Sequence, residues 1–327
     1  MCIRDSSNTE IAATLQITKN LTLDLNGCTL RMTGTGSVLK VSGRATLTIT
    51  DSSAAKSGTI TGGNAEYGGG VYVDDYAALK MTGGCITGCH ASRGGGGIYS
   101  SGNLYMGGTA KIEKCTGSDD AIWNRENSDI YADGGTVDGT VNNQGTIKRS
   151  EGAAAVTVFN GTVYNRSAGT IIAGIYNGTV ENNGTISGGT FCGGVTIRKG
   201  SWVWERTGSI SGGTFYSSIV NEAGPERVTG VTFAVTFDRG DGTKTEPTPV
   251  KYNDLVPKPT APTKSGYTFT GWEDANGAYD FNTPVTGPLT LTARWEEVPS
   301  SGGYYYYPTT DTKADDAKGS PKTADPG

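Results

Sequence analysis

Apolar and polar residues alternate along much of the chain, in short runs that end at Gly-Gly or Asn-Gly. Residues 22–25 (TLDL) and residues 46–49 (TLTI) are two clear examples. Alternation with a period of two sends every second side chain to the same side of a strand, and the runs lack helical periodicity. The pattern therefore predicts an all-β fold built from many short strands.

One structural unit is repeated between Gly68 and Met106. The runs GGGVYV and ALKMTGGC return as GGGIYS and NLYMGGT, and a third copy follows at residues 121–136. Apolar residues mark successive turns at intervals of roughly 24 to 32 residues, a spacing typical of repeat architectures. These residues are Leu23, Leu47, Leu79, Leu104 and Ile130. We expect their side chains to point into one continuous core.

From residue 145 onwards the repeat shortens to Gly-Thr followed by an apolar residue. The motif begins at Gly145, Gly161, Gly169, Gly178, Gly184, Gly189 and Gly213. We expect glycine to allow a corner at positive φ, threonine to face water and the apolar residue to face inward. A single coil buries too little surface to fold alone, so the coils must stack. The sequence predicts a solenoid of parallel strands over residues 11–220.

Composition narrows the classes of function. A chain of 327 residues can hold two domains with real cores. The net charge of −5 leaves no basic footprint for nucleic acid, and no apolar run approaches the length of a membrane span. The 51 glycines lack a collagen period. Six cysteines are too few for a disulfide scaffold of this size.

The glycine-cornered coils, with TLDLNG at residues 22–27 among them, resemble those of a known superfamily. Residues 22–215 are similar to the right-handed parallel β-helix of the pectin-lyase-like superfamily, and in particular to the coils of bacterial adhesin-like surface proteins. The resemblance implies a right-handed β-helix. It also raises an enzymatic alternative, because lyases of this shape hold calcium on clustered carboxylates and related hydrolases use paired aspartates with a histidine.

The acidic residues do not show the stacking that such an enzyme needs. When the coils are aligned at their apolar positions, Asp74 falls beside Ser101 and Arg125. The best acidic candidates are the adjacent pairs Asp74-Asp75 and Asp119-Asp120, whose positions at turns favour solvated loop carboxylates. We therefore expect no catalytic residues and predict that the protein is not an enzyme.

A zinc site is suggested by four residues, Cys85, Cys89, His90 and Cys115. The alignment places Cys85 level with Thr109 and Thr136, where a small packed thiol explains it without a metal. Cys89 and Cys115 fall two positions out of register on adjacent coils, so a disulfide would form only if the turns compensate. The histidine is the only one in the chain and is expected in a loop. We expect neither a metal nor a cofactor.

Four tyrosines are candidates for stacking on sugar rings, namely Tyr72, Tyr99, Tyr105 and Tyr131. Tyr72 and Tyr99 occupy equivalent positions in the repeat, and so do Tyr105 and Tyr131. Alternation places both pairs on the outside as exposed aromatic ladders. A lectin-like protein could use such ladders, although cross-strand packing is their more frequent role.

The repeat ends near residue 220, and residues 221–231 carry the proline, glycine and charges of a linker. Residues 232–298 then form a second compact unit. Asn276-Gly277 predicts a hairpin turn, and Trp272 is interpreted as a core residue rather than a ligand contact. The aromatic core that so short a domain requires is supplied by Phe237, Tyr267, Phe269, Trp272, Phe281 and Trp295.

This second unit resembles the Listeria/Bacteroides repeat, also called the internalin B-repeat, nearly end to end. The matching segments are residues 235–238, 257–262, 266–272, 279–281, 284–285 and 289–295, and they contain Tyr267, Phe269, Gly271, Trp272, Phe281 and Trp295. The resemblance implies a small β-grasp-like module of the kind found on bacterial surface proteins.

Both ends of the chain differ from the folded units. Residues 299–327 are low in complexity and predict a disordered tether. Its terminal SPKTADPG, Ser320 to Gly327, resembles the cell-wall sorting motif L-P-x-T-G and implies an apolar anchor beyond it. The opening MCIRDS, residues 1–6, resembles a translated sequencing adapter. We leave it out of the fold prediction and expect the native N-terminus upstream.

These features predict a noncatalytic, extracellular protein on the surface of a Gram-positive-type bacterium. A β-helical stalk or adhesin would be attached to the cell wall or membrane through a missing C-terminal segment, and would meet a glycan or protein ligand from a host or the environment. No nucleic acid is expected as a partner. The alternatives are a polysaccharide lyase or glycoside hydrolase of the β-helix type and, as a lesser one, a lectin-like module.

Overall fold

The computed structural model describes residues 2–117, 120–200 and 207–299. Most of the predicted tether and its sorting-like motif, Ser320 to Gly327, lie outside the described residues, and so does Asp119. Residues 2–221 wind into a parallel β-helix, and every pair of neighbouring strands in it is parallel. The predicted fold class, an all-β solenoid of parallel coils, is confirmed.

The coils stack on three faces. Face 1 contains Cys2–Arg4, Leu21–Asp24, Thr46–Thr50, Ala78–Met81, Asn103–Glu113, Asp129–Asp138, Thr146–Lys148, Thr170–Ile171, Thr185–Ile186 and Ser209–Ile210. Face 2 contains Thr9–Ile11, Thr29–Met32, Thr59–Thr61, Cys85–Thr87, Val158–Phe159, Ile175–Tyr176, Thr190–Phe191 and Thr214–Phe215. The two long strands of face 1, 103–113 and 129–138, continue through face 2 and join both faces into one 18-stranded sheet.

Face 3 is a 10-stranded sheet. Its strands are Leu15–Ile17, Leu39–Val41, Val71–Val73, Ile98–Ser100, Ile122–Asn124, Val141–Asn143, Val163–Asn165, Val180–Asn182, Val195–Ile197 and Ile219–Asn221. A small three-stranded sheet of Asn64–Tyr67, His90–Gly94 and Thr116–Gly117 lies between faces 2 and 3 on three coils.

The interior is formed by the inward residues of the alternating strands. Leu79 pairs with Leu104, which pairs with Ile130, and all three are fully buried as predicted. One predicted pairing is wrong: Leu47 lies beside Leu21, whereas Leu23 lies beside Ile49. Positions two apart on a strand face the same side, so alternation alone cannot distinguish these two registers.

The first strand, Cys2–Arg4, belongs to residues that the sequence analysis left out of the fold. It pairs with Thr22–Asp24 in parallel. The Arg4 guanidinium donates a hydrogen bond to the Asn26 side chain at 2.7 Å and lies 3.6 Å from the Asp24 carboxylate. These residues thus form the first layer of face 1.

The glycines of the Gly-Thr motif act differently from the prediction. Only Gly189 and Gly213 have positive φ, and the expectation is wrong at the other five positions. At Gly145 an added Cβ would lie 2.0 Å from the Ser128 carbonyl oxygen, and at Gly184 it would lie 2.1 Å from that of Gly169. Glycine is required there because the backbone of one coil passes directly against the corner of the coil before it.

The later coils contain a stack of aromatic rings in their interior. Phe159, Tyr176, Phe191 and Phe215 follow one another on face 2, with centroids 5.0, 4.9 and 4.7 Å apart and planes within 9° of parallel. The buried Tyr176 hydroxyl donates to the Ala173 carbonyl at 2.6 Å. The sequence analysis placed Phe191 and Phe215 inward through the Gly-Thr motif, but it assigned neither Phe159 nor Tyr176 and did not predict the stack.

A ladder of buried asparagines runs along the inner edge of face 3. Asn124, Asn143, Asn165 and Asn182 are fully buried. Each Nδ2 donates to the Oδ1 of the next asparagine, at 2.8, 2.8 and 2.7 Å. A buried amide group without a hydrogen-bond partner destabilises the fold. The ladder provides such partners, so the asparagine side chains can be buried inside the narrow coils. This ladder was not predicted.

The second unit is a five-stranded mixed sheet. Its strands, in spatial order, are Thr248–Lys251, Thr232–Asp238, Leu289–Glu297, Tyr267–Asp274 and Gly277–Ala278. The central pair, 232–238 with 289–297, is parallel and the other pairs are antiparallel. A 3-10 helix, Pro225–Arg227, precedes the sheet. The hairpin turn has Ala275 and Asn276 at its corner, with Asp274 opposite Gly277.

That hairpin is one residue away from the predicted Asn276-Gly277 corner. The Asp274 carboxylate accepts a hydrogen bond from the Asn276 N–H at 2.7 Å, which fixes the turn in its observed position. The aromatic core is centred on buried Trp272, whose ring centroid is 4.9 Å from Phe237 and 5.4 Å from Phe269.

The remaining predicted core residues lie further out. Trp295 and Phe281 are partly buried against the core, and Gly271 lies at a bulge in its strand, with φ 145°. Tyr267 is not part of the core, because its hydroxyl reaches the exposed Glu297 carboxylate at 3.2 Å. Its ring lies under Lys264 instead, with Nζ 4.3 Å from the centroid.

Candidate binding surfaces of the β-helix

The first tyrosine ladder, Tyr105 and Tyr131, lies on the outside of face 1 in the predicted register. The rings are 4.2 Å apart and nearly parallel, at 8°. Lys148 covers the other side of Tyr131, with Nζ 4.9 Å from its centroid and 2.6 Å from the Asp129 carboxylate. Both faces of Tyr131 are therefore occupied by protein groups.

The second ladder, Tyr72 and Tyr99, lies on the outside of face 3. These rings stack at 5.0 Å and 26°, and Lys40 lies over Tyr72 with Nζ 4.8 Å from the centroid. Burial, with smaller contributions from Tyr99 and Asp74, raises the pKa of Tyr72. The predicted exposure of Tyr99 is wrong: it is only 7% exposed, because Tyr67 packs on it at 4.8 Å.

Trp123 extends this second ladder by one coil, in register with Tyr99. Its centroid is 6.3 Å from Tyr99 and 6.4 Å from Tyr67. The indole ring lies directly on Gly94, where a Cβ would come within 1.8 Å of it. The four aromatic residues thus pack mainly on one another. A sugar-stacking role for the predicted residues, Tyr72, Tyr99, Tyr105 and Tyr131, stays a prediction, and the ring faces that it would need are largely covered.

The acidic candidates lie apart from one another. The alignment of Asp74 with Ser101 and Arg125 is confirmed by the register of face 3. The Asp74 carboxylate lies 3.4 Å from the Lys40 ammonium, and Asp120 is buried beside the Asn142 side chain at 3.4 Å.

The carboxylates that accept the most backbone hydrogen bonds are Asp24 and Asp51, near the first coils. The Asp51 carboxylate accepts N–H groups of Gly58, Gly27 and Ser53 at 2.7, 2.9 and 3.1 Å. Burial alone would raise the pKa of Asp51, but these hydrogen bonds outweigh it and hold the pKa below 3.8. Such a carboxylate is an anchor for the backbone of a long corner.

The cysteines lie differently from their predicted register. Cys85 pairs with Lys111 rather than with Thr109, because the long strand of the next coil has an irregularity between Gly108 and Lys111. Lys111 in turn pairs with Thr136, so the predicted alignment of Cys85 with Thr136 is confirmed. Burial, followed by the Glu113 carboxylate, raises the pKa of Cys85 to about 11. A thiol of this kind is a packed residue, as the sequence predicted.

Cys89 and Cys115 are in register, contrary to the prediction, since the residues that follow them, His90 and Thr116, are paired. Both thiols are free and buried, and hydrogen bonding to Cys89 together with burial raises the pKa of Cys115. His90 lies on an exposed strand position, with Nδ1 3.1 Å from the Thr116 hydroxyl. Over the residues that the structure describes, no group of three or more His, Cys, Asp or Glu side chains is placed to hold a metal ion.

The corner between faces 3 and 1 carries a feature that the sequence analysis missed. Between residues 74 and 184, successive coils turn this corner alternately in four residues and in two. In this part of the helix the four-residue corners are 74–77, 125–128 and 166–169, and the two-residue corners are 101–102, 144–145 and 183–184; the preceding corner, 42–45, also has four residues. The three long corners of this part share one turn, in which the fourth N–H donates to the first carbonyl, at 3.2, 3.2 and 2.7 Å.

The short corners at 101–102 and 144–145 are each recessed between two long ones. The glycine of each lies under the preceding long corner, since a Cβ on Gly102 would be 2.1 Å from the Ala77 carbonyl oxygen. Two polar notches result. Notch A has its floor at 101–102 and a volume of about 490 Å³, and notch B has its floor at 144–145 and a volume of about 420 Å³. Glu126 and Asn127, on the long corner between them, line both notches.

Comparison with known protein families gives a match for the second unit. Residues 233–294 match the Listeria-Bacteroides repeat domain. The predicted resemblance of this unit is confirmed, and Trp272 and Phe237 are the buried centre of the repeat in this chain.

One similar protein among the curated proteins is much longer than this chain. It is a protein of Evansella cellulosilytica named "Putative Gly-rich membrane protein", 34% identical over 68 residues. The match covers 20% of this chain and 8% of that protein. In the part of the chain that the structure describes, no helix has the length and apolar character to cross a membrane.

Proposed function

We propose that the chain is a noncatalytic protein of the bacterial cell surface, in which the β-helix acts as a stalk or adhesin. The observation that carries this proposal is the Listeria-Bacteroides repeat at residues 233–294, which directly follows a long β-helix. Repeats of this family are often found in surface-associated proteins. The partial similarity to a protein named as a membrane protein adds support.

The junction between the two units supports a role as a stiff support. Phe233 of the repeat packs edge-on against Phe215, the last ring of the aromatic stack, with centroids 6.4 Å apart. The Ile219 N–H of the last coil donates to the Thr286 carbonyl of the repeat at 2.8 Å. Buried residues of both units belong to one continuous hydrophobic cluster. A junction packed in this way would hold the two units in a fixed orientation.

The distribution of carboxylates supports a noncatalytic protein. A lyase or hydrolase would need several acids converging on one substrate bond. Asp74 is instead paired with Lys40, and Asp51 is committed to backbone N–H groups. The enzymatic alternative therefore has less support than a binding or structural role.

A second candidate function, carbohydrate binding, is favoured by one observation. Notches A and B are open, polar and repeated along the axis, whereas the rings of the tyrosine ladders are largely covered. Glycan recognition in this protein would therefore depend on the corner between faces 3 and 1.

Labelling of intact cells tests the surface location. An antibody raised against the purified β-helix is applied to cells that carry the native gene, before and after mild surface proteolysis. We expect labelling of intact cells that proteolysis removes. Antigen found only inside lysed cells would contradict the proposal.

An assay of polysaccharide cleavage tests the noncatalytic part. The purified chain is incubated with polygalacturonate, with and without calcium, and unsaturated or reducing ends are measured. We expect no product. Product formation that Asp74→Asn or Asp120→Asn abolishes would show that the protein is an enzyme.

A further inference from the structure

We propose that notches A and B together bind a linear, uncharged, hydroxyl-rich glycan that lies along the axis of the β-helix. This inference rests on the proposed surface function and deepens it by naming the class of ligand and the residues that contact it. The following observations on spacing, exposure and polarity carry the proposal.

The spacing of the notches suits a polymer. Long and short corners alternate between residues 74 and 169, so notches A and B lie two coils apart. Stacked parallel strands are about 4.8 Å apart, which places the two notches about 9.6 Å apart along the axis. A ligand that fills both must be an extended chain whose repeating unit contains two similar groups. An extended chain of β-linked sugars, in which alternate rings present the same side, has this property.

Tyr76 supplies the surface that a sugar ring needs. It stands at the tip of the long corner that walls notch A, and 84% of its surface is exposed. Among the described residues the structure gives its ring no aromatic or cationic partner, in contrast to Tyr72 and Tyr131. Its backbone is left-handed, with φ 63°, a conformation that is costly for a bulky side chain. Both faces of the Tyr76 ring are thus open to a ligand, although its backbone conformation is strained.

The walls and floors supply hydrogen bonds of both senses. Notch A is lined by Asp75, Ser101, Asn103, Arg125, Glu126 and Asn127. The carboxylates accept hydrogen bonds, the guanidinium donates them, and the hydroxyl and amide groups do both. Sugar hydroxyls also donate and accept, so they can pair with all of these groups. Two carboxylates against one guanidinium disfavour an acidic polymer. Gln144 and Ser167 supply amide and hydroxyl groups to notch B, whose charged lining residue, Glu126, is also a carboxylate.

The size of the notches agrees with this ligand. Volumes of about 490 and 420 Å³ fall within the range of small-molecule sites. The shared wall at Glu126 and Asn127 would contact the chain from both sides. Asn127 has the same left-handed backbone as Tyr76, at φ 65°, so the two long corners present equivalent positions to the ligand.

Affinity electrophoresis on the full chain tests the proposal. The probes are three soluble neutral polysaccharides, a β-1,4-mannan, a β-1,4-xylan and a mixed-linkage β-glucan, with polygalacturonate as the acidic comparison. We expect at least one neutral polysaccharide to retard the wild-type chain. Tyr76→Ala should weaken that affinity about tenfold or more, and Glu126→Ala, which alters both notches, should weaken it as well.

The matched control is Tyr216→Ala, which removes another exposed tyrosine side chain. Tyr216 is 67% exposed and lines neither notch. This variant should bind as the wild type does. Neither Tyr76→Ala nor Glu126→Ala removes a buried group, and circular dichroism would verify that both variants are folded.

The proposal is overturned if no neutral polysaccharide retards the wild type, if only polygalacturonate does, or if Tyr76→Ala binds like Tyr216→Ala. Surface labelling of intact cells distinguishes the proposed surface function from the proposed glycan site. Labelled cells with a chain that binds no glycan would leave the surface function in place and remove this inference alone.

Discussion

The wide coils at residues 15–97 and the narrow coils at residues 141–197 solve the same packing problem with different side chains. In the wide coils, 30 residues separate equivalent positions such as Thr29 and Thr59, and the core is aliphatic. In the narrow coils, 17 residues separate Asn165 from Asn182. There the interior combines columns of Val and Ile side chains with stacked rings and an asparagine ladder.

The difference follows from the size of the interior. A wide coil encloses enough space for Leu, Ile and Met side chains from three faces to interdigitate. A narrow coil leaves less interior per layer, and flat groups fill it best because they stack at the spacing of the coils themselves. The ring centroids are 4.7 to 5.0 Å apart, close to the strand spacing of about 4.8 Å. In the narrow coils, stacking of similar side chains from one coil to the next thus takes the place of interdigitation.

The largest expected effect is in the aliphatic core, in the coil that directly follows the wide ones. Leu104→Asp places a charge in a fully buried position between Leu79 and Ile130. It should lower the free energy of unfolding by more than about 4 kcal/mol and unfold the neighbouring coils together. Urea denaturation followed by circular dichroism measures this. The matched control is Val220→Asp on an outward position, 53% exposed, and an equal loss in both variants would contradict the inward assignment.

The aromatic stack gives the next largest effect. Phe191→Ala leaves a cavity between Tyr176 and Phe215 and should cost about 3 to 5 kcal/mol. Thermal and urea unfolding measure the loss. Tyr216→Ala, on an exposed aromatic side chain next to Phe215, should cost less than about 0.5 kcal/mol. A small cost for Phe191→Ala would mean that the narrow coils do not depend on the stack.

The asparagine ladder can be compared with an exposed pair of the same spacing. Asn165→Ala removes the buried hydrogen bonds from Asn143 Nδ2 and to Asn182 Oδ1, although Asn143 Nδ2 keeps its bond to the Gly145 carbonyl, and it should cost about 2 to 3 kcal/mol. Asn177→Ala breaks the exposed hydrogen bond to Asn160, also 17 residues away, and should cost less than about 0.5 kcal/mol. Equal costs in urea denaturation would show that burial of the ladder is not what matters.

The smallest expected effect depends on pH and belongs to the wide coils. The pKa of Asp51 in the folded chain is below its ordinary value of 3.8. Its ionised form therefore stabilises the fold above about pH 4, and this contribution is lost as the pH falls through the folded pKa. Asp51→Asn should cost about 1 to 2 kcal/mol at pH 7, and the gap to wild type should shrink below pH 4. A gap that grows on acidification would contradict the assigned direction.

Alternation and repetition in the sequence were enough to predict the coils. The pairing of Leu79 with Leu104 and of Val71 with Ile98 could be predicted because both copies carry the same two motifs. The pairing of Leu23 could not, because a shift by two residues keeps every side chain on its side. The position of Cys85 was mispredicted because a bulge adds residues that the pattern does not show.

The candidate binding surface was harder to predict. The asparagine ladder has a signal in the sequence, since Asn143, Asn165 and Asn182 each stand two or four residues before the glycine of a Gly-Thr motif. That same difference of two residues encodes the alternating corners and hence the notches. The burial of Tyr99 could not be read from alternation, because it depends on Tyr67 from another sheet.

Hydrogen–deuterium exchange tests most directly the central claim, that stacked identical groups hold the narrow coils as firmly as an aliphatic core holds the wide ones. Amide exchange is followed by mass spectrometry in peptides from residues 15–97 and 141–197, in the wild type and in Phe191→Ala. We expect slow exchange in both regions of the wild type, and loss of protection in the variant confined to the narrow coils. Narrow coils that exchange as fast as exposed loops in the wild type, or a variant that loses protection equally in both regions, would contradict the account.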